Sequence, residues 1–406
     1  METNSTDIIE TQTCPRVSLW KIFTSYFIVG LTAFGMAILQ KLKALVMDHH
    51  WLTEDEMNDG LAMVQLYPGP IMVDFTAYVG YKLRGVMGAV LATTGFILPS
   101  FILMSVLSAF YFAAGTLPWV HSIFMGLEAL VVGVLFNVTL EMGERNVQQR
   151  TQAVIMALAF AALLFKLNAI LTVLIALALG AWLIRPTAGK KPGAGKPLPA
   201  ESASPRQWAG ISVVTAVILV VVGFAWSLKS EIGGLALSLF KIGAVAFGNG
   251  STIIPLIQSE TVDAHHWMTL RQFADGIALG QITPGPFLIT AAFIGYKLAG
   301  FWGGLLATFA IFSPSFAMTL VFTEVFANLK NLAPVRGALM GVMASFVGLL
   351  AVVVLQLGGV ALTTPAALAL AAAAFVAVRW FKVDILWVFL GGVALWGGLL
   401  ALGWVA

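Results

Sequence analysis

Charge is what this sequence has least of. Only 10% of its 406 residues are charged, against 59% hydrophobic residues and a mean hydropathy of +0.93. A soluble domain of this length has no use for so much apolar side chain, so the chain is expected to be a polytopic membrane protein. Cysteine is nearly absent too. Cys14 is the only one and lies in a polar N-terminal stretch, which excludes an internal disulfide and any cysteine-based metal site. The net charge of +3 comes without a basic cluster interleaved with aromatics, so nucleic acid is not an expected partner. Neither a Ser-His arrangement nor an HExxH string occurs, which argues against an intramembrane enzyme. No cleavable signal peptide is evident. Met1 to Val17 is polar, and the apolar run that starts near Trp20 is long enough to be a membrane segment.

What the sequence does contain is a duplication. Gln65-Leu66-Tyr67-Pro68-Gly69-Pro70 returns as Gln281-Ile282-Thr283-Pro284-Gly285-Pro286, and each copy is followed by Gly-Tyr-Lys-Leu. Around this pair, Ala33-Phe34-Gly35 matches Ala246-Phe247-Gly248, and His49-His50-Trp51 matches His265-His266-Trp267. Asp59-Gly60 matches Asp275-Gly276, and Pro99-Ser100-Phe101 matches Pro314-Ser315-Phe316. So many ordered matches make the two halves an internal repeat. A Pro-Gly-Pro triplet must interrupt any helix it enters, because proline lacks a donor and restricts its predecessor while glycine admits unusual backbone angles. In a bilayer the freed backbone groups need partners from protein, water or a ligand.

At ~20 apolar residues per span, the chain has about 13 membrane segments. Those carrying the argument are Trp20 to Leu39, Leu61 to Tyr81, Leu235 to Ile257 and Phe273 to Tyr296. The expected organisation is a polar tail over 1–19, a first repeat over 20–184, a Pro/Gly/Ala/Lys-rich linker over 185–206, and a second repeat over 207–406 led by one extra helix. Placing the linker in the cytoplasm puts the N-terminus inside and the C-terminus outside, with sixteen of the 22 lysines and arginines inside. The one extra helix makes the repeats inverted. The expected fold class is therefore an all-α polytopic protein of two homologous inverted repeats with broken helices, a pattern typical of transporters.

The residue types point to an anion. Helices restarting after Pro70 and Pro286 present free N–H groups and a positive dipole end. Gln65 and Gln281 either touch the substrate or bond the freed backbone. Lys82 and Lys297, ~16–18 Å beyond the triplets, are either electrostatic attractors at opposite mouths or snorkelling interfacial lysines. Tyr81 and Tyr296 either donate to an oxyanion or belong to an interfacial belt. Asp59 and Asp275 are N-caps or proton-coupling groups. Glu128 lies within an apolar run opposite Met343 in the other repeat, which suggests gating or proton transfer, and the unmatched Arg84 marks the cytoplasmic entrance. The histidine pairs suit loops, since adjacent side chains diverge and the two pairs fall on opposite faces. The glycines Gly88, Gly126, Gly133, Gly303, Gly341 and Gly348 are expected to let helices pack closely.

The doubled pattern Phe-Gly, His-Trp-Leu-Thr, Gln-x-x-Pro-Gly-Pro, Gly-Tyr-x-x-x-Gly-x-x-Gly and Pro-Ser-Phe resembles the chromate ion transporter family in its long, two-domain form. The resemblance implies export of chromate, with sulfate as isosteric competitor, from a multi-pass protein of the cell (inner) membrane that uses no cofactor. A sulfate-like or other small inorganic anion is the alternative substrate. Its partners would be the oxyanion and the bilayer, with a homodimer left open. The family's Phe-Gly-Gly is here Phe34-Gly35-Met36 and Phe247-Gly248-Asn249, which brings Asn249 into the expected substrate set. Ile71-Met72-Val73-Asp74 replaces the small polar residues usual after the first triplet, and an acid beside an anion site is unexpected.

Overall fold

The computed structural model describes residues 17–35, 37–114, 117–184, 204–248, 250–329 and 333–403. Cys14, Arg16, Met36, Asn249, Lys330 and nearly all of the linker lie outside them. The described chain is helical, with two strands of two residues each. In the first repeat come α1 (Leu19–Thr32), α2 (Ala37–Asp48), α3 (Glu54–Met63), β1 (Gly69–Pro70), α4 (Ile71–Ala114), α5 (Pro118–Asn146), α6 (Arg150–Leu164) and α7 (Ala169–Leu183). A lone α8 (Pro205–Ser227) precedes the second set, which runs α9 (Glu231–Val245), β2 (Phe247–Gly248), α10 (Ile254–Gln258), α11 (Leu270–Ile282), α12 (Thr290–Leu329), α13 (Ala333–Ala361), α14 (Pro365–Arg379) and α15 (Ile385–Ala401). Among the described residues, five helices are long and apolar enough to cross a membrane, namely α4, α5, α8, α12 with its leading turn, and α13.

Four expected spans are hairpins instead. In the second repeat, Lys297 Nζ donates to Gln272 Oε1 at 2.5 Å, a Cβ on Gly276 would lie 2.6 Å from the Phe293 ring, and one on Gly280 would lie 2.4 Å from Thr290 Oγ1. These contacts pair residues of α11 with residues of α12 in antiparallel register, so the chain turns back at Pro284-Gly285-Pro286. The first repeat does the same, since Tyr78 Oη donates to the Glu56 carbonyl at 3.0 Å and its ring packs on Gly60. Leu61 to Tyr81 and Phe273 to Tyr296 are therefore hairpins and not single straight helices. Trp20 to Leu39 and Leu235 to Ile257 break likewise, at Ala33-Phe34-Gly35 and Ala246-Phe247-Gly248. Their returning arms bring Trp51 within 6.0 Å of Tyr26 and Glu260 within 2.7 Å of Ser238. The reason is local. Gly285, Gly248 and Gly35 adopt φ of +91°, +84° and +49°, which a continuing helix cannot hold, and arms of 10 to 15 residues rise only ~15–22 Å.

A second reversal follows each triplet. Arg84-Gly85 and Ala299-Gly300 leave helical geometry with almost equal angles, Gly85 at φ 60°, ψ −152° and Gly300 at φ 58°, ψ −148°. Past them the chain doubles back so tightly that a Cβ on Gly80 would stand 2.4 Å from the Gly88 carbonyl oxygen, and one on Gly295 2.2 Å from that of Gly303. Only glycine permits that approach. The remaining glycines expected at packing contacts are there as well. Gly126 and Gly133 of α5 lie against Trp396 and the Ala371 carbonyl, while Gly341 and Gly348 of α13 lie against the carbonyls of Ala176 and Met156. Each repeat's α5 or α13 is thus clasped by the other repeat's last two helices.

Candidate site at the meeting of the hairpin tips

The backbone groups freed by each triplet are paired with the other repeat. Gly69 and Pro70 run parallel to Phe247 and Gly248 as a two-stranded ladder, and the Gly285 N–H donates to the Ala33 carbonyl at 2.9 Å. Each Pro-Gly-Pro tip therefore meets the Ala-Phe-Gly tip of the opposite half. The repeated Pro-Ser motif completes the junction, with Ser100 Oγ donating to the Pro284 carbonyl at 2.6 Å and Ser315 packed beside Gly69. The partners that the freed backbone groups need are thus supplied here by protein, and the Gly285 amide is already used. What stays uncapped is the start of the helix after each triplet. Among the described residues no side chain caps the first turn of α4 or the turn Phe287–Ile289 that leads α12. The junction is closed here. Gly69, Pro70, Phe247, Gly248 and Leu288 lie so close together that no space the size of a water molecule is left between them.

Two expected site residues flank the tips with unused polar groups. Gln65 is exposed and Gln281 half-buried, and neither has a hydrogen-bond partner among the described residues. Asn249 falls outside the described residues. Tyr81, Lys82, Tyr296 and Lys297 sit at the open ends of the hairpins, far from the triplets. Tyr81 Oη donates to Glu324, Tyr296 stacks on Phe112 with ring centroids 6.3 Å apart, Lys297 bonds Gln272, and Lys82 is exposed. Arg84 Nη1 donates to the carbonyl of Val17, just ahead of α1, at 3.0 Å.

The carboxylates fall into distinct environments. Asp59 and Asp275 are not N-caps. Thr53 with Glu56 and Thr269 with Gln272 form capping boxes on α3 and α11, leaving both aspartates further along their helices. Asp59 is half-buried on α3. Asp275 is buried and joins Glu128 in one cluster. Tyr111 Oη donates to Asp275 Oδ2 at 2.6 Å, Arg271 Nη1 lies 3.7 Å from Glu128 Oε2, and Arg271 Nη2 donates to the Val360 carbonyl at 3.1 Å. Asp275 Oδ1 and Glu128 Oε2 have no hydrogen-bond partner. The sequence suggested both acids but not that they meet, nor that Tyr111 and Arg271 complete the group. A third acid, Asp74, lies against Gly69 with both oxygens unpartnered. The rule that singled out Glu128, an ionisable group in an apolar stretch, applies to it equally. The histidine pairs occupy loops, where His50 and His266 adopt φ of 51° and 54°.

Comparison with known proteins places the chain among membrane transporters. The chain is 33% identical over 363 residues to an uncharacterized transporter of Methanocaldococcus jannaschii, covering 87% of this chain and 88% of the other. It is 29% identical over 346 residues to the chromate transport protein of Cupriavidus metallidurans, covering 83% and 82% of the two chains. The chromate transport protein of Pseudomonas aeruginosa is 29% identical over 368 residues, covering 88% and 85%. No solved structure matches the chain. The sequence pattern of the chromate transporter family matches residues 20–181 and 233–397. A match of that extent shows that the chain belongs to the chromate transporter family, a family of membrane transporters and not of enzymes.

Proposed function

We propose that this transporter exports chromate or a sulfate-like dianion by alternating access, and that the dianion is held beside the paired hairpin tips. The observation that carries the reading is the reciprocal pairing of Gly69–Pro70 with Phe247–Gly248 and of Gly285 with Ala33. Among the described residues it leaves two uncapped helix starts and two unpaired glutamine amides, Gln65 and Gln281, around one junction. Backbone amides at helix starts and neutral donors suit a dianion that must also leave again. Lys82 and Lys297, at the hairpin mouths, would draw the anion in from either side. Glu128 and Asp275 would gate the route or carry a proton, with Arg271 and Tyr111 holding them in place.

Inversion of the two repeats is part of the proposal, and end-to-end contacts support it. Tyr81, at the mouth of the first Pro-Gly-Pro hairpin, bonds Glu324 near the far end of α12. Phe112, near the far end of α4, stacks on Tyr296 at the mouth of the second. The hairpins therefore open toward contrary ends of the bundle. Following the chain with four re-entrant hairpins, eleven of the sixteen described lysines and arginines belong to the end where α1 begins. The exceptions are Lys166, Lys229, Lys241, Arg271 and Lys297. That asymmetry supports a cytoplasmic N-terminus and an external C-terminus.

Export follows from the field. A dianion leaving a negative interior gains roughly 4–5 kcal/mol at 100 mV, so efflux needs no other driving force. The test is uptake of labelled chromate into inside-out vesicles, with and without sulfate. Saturable chromate flux that sulfate slows is expected. Robust sulfate flux without chromate flux would overturn the chromate assignment.

A further inference from the structure

We propose that Asp74 is a proton-binding site on the first hairpin, and that it must be protonated before a dianion can settle against the first Pro-Gly-Pro tip. The inference rests on the proposed anion site and adds to it the ligand that controls occupancy. Asp74 is fully buried in the first turn of α4. A Cβ on Gly69 would stand 1.9 Å from its Oδ2, so the carboxyl group touches the glycine of the triplet itself.

Among the described residues nothing around it offers an ionised carboxylate a counter-charge, and the only donors within reach are the hydroxyls of Ser315 and Thr319. Neither oxygen has a partner. The nearby hydroxyls are used elsewhere, Tyr67 Oη with Thr319 Oγ1 at 2.8 Å, Thr319 toward the Ser315 carbonyl at 2.9 Å, and Ser315 toward the Phe312 carbonyl at 3.3 Å. The cations on the elements packed against this arm are bonded elsewhere or exposed, except Lys43, which is half-buried on α2. Lys41 bonds the Thr32 carbonyl, Arg84 the Val17 carbonyl, Arg271 the Val360 carbonyl and Lys297 Gln272, while Lys21, Lys82 and Arg206 are exposed. Glu56 and Asp59 are on α3 beside Tyr78, and Glu324 on α12 is bonded to Tyr81. A charge in such a place is either paired or neutralised, and here no pair exists. The second repeat supplies a comparison within the molecule. Four residues past its triplet stands Thr290, a neutral hydroxyl that donates to the Phe287 carbonyl at 3.0 Å. The second repeat thus carries a neutral group at the same distance from its triplet.

An ionised Asp74 would repel a dianion seated at the neighbouring amides, whereas the neutral acid leaves them to it. Protonation and anion occupancy are therefore positively linked, one proton to one anion at this tip. The test measures anion flux against pH in vesicles holding the full chain, for wild type, Asp74→Asn and Asp74→Thr, the last copying the second repeat. Above the pH at which Asp74 loses its proton, the wild-type KM should rise about tenfold per pH unit, as expected for one linked proton. Both variants should keep a nearly constant KM over the same range. A variant KM that climbs as the wild type's does would overturn the proposal. Infrared difference spectra of the purified protein give a readout independent of transport. A protonated-carboxyl band present in wild type and missing from Asp74→Asn supports the assignment, and its absence from wild type would refute it. Failure of wild type to carry any anion would count against the transport reading, while the spectrum still decides on the proton.

Discussion

At the scale of single residues, the side chains separate into those that hold the tips together and those with nothing to hold. Ser100 belongs to the first group. Its hydroxyl is the side-chain partner of the Pro284 carbonyl in a buried place, so Ser100→Ala should cost about 1–3 kcal/mol, read as a lower unfolding temperature in detergent. Gln65 and Gln281 belong to the second. Replacing either with alanine should leave stability within ~0.5 kcal/mol. If their amides bond a charged ligand, the same change should raise the KM for anion about 10- to 100-fold, corresponding to ~1.5–3 kcal/mol. A lower unfolding temperature with an unaltered KM would make these glutamines structural. Both glutamines were visible in the sequence because the duplication marks them. The cluster of Glu128, Asp275, Tyr111 and Arg271 was not, because its members come from α4, α5 and α11 and no spacing within one helix brings them together. Asp74 was visible only as an oddity, since its isolation depends on Ser315 and Thr319, some 240 residues away.

At the scale of elements, two kinds of glycine do different work. Gly85 and Gly300 sit at backbone angles that L-residues avoid, so Gly85→Ala or Gly300→Ala should cost about 1–3 kcal/mol even though a Cβ at either position meets open space. Gly223, inside α8 and also facing open space, has ordinary helical geometry. Gly223→Ala should therefore stabilise by up to ~1 kcal/mol, and thermal unfolding of the three variants side by side checks the contrast. The helix breaks at the Pro-Gly-Pro triplets were legible from proline and glycine chemistry alone. Whether a broken helix goes on or turns back was not. That depends on contacts such as Gly276 with Phe293 and Gly280 with Thr290, and hydropathy counts an apolar hairpin and an apolar span alike. The breaks at Ala33-Phe34-Gly35 and Ala246-Phe247-Gly248 were seen as repeated motifs yet not as turns, because a single glycine after an aromatic residue lacks the force of a proline pair.

At the scale of the molecule, duplication does what neither half could do alone. A hairpin tip ending inside a bilayer leaves backbone groups without partners, at several kcal/mol each, and each tip here is completed by the opposite repeat. The proposed anion site is thus a consequence of how the tips are kept from being orphaned. The repeat itself was fully legible in the sequence, whereas the pairing of Pro-Gly-Pro with the other half's Ala-Phe-Gly was not, since nothing local encodes which tip meets which. The most direct test of the account is the sidedness of four single-cysteine variants, His50→Cys, Arg84→Cys, His266→Cys and Ala299→Cys, each made with Cys14→Ser and labelled by an impermeant thiol reagent in sealed cells and inside-out vesicles. Re-entrant, oppositely directed hairpins require His50 and Arg84 positions to label from the cytoplasm alone, and His266 and Ala299 positions from outside alone. Labelling of the His50 and Arg84 positions from different faces, or of all four from the same face, would contradict it.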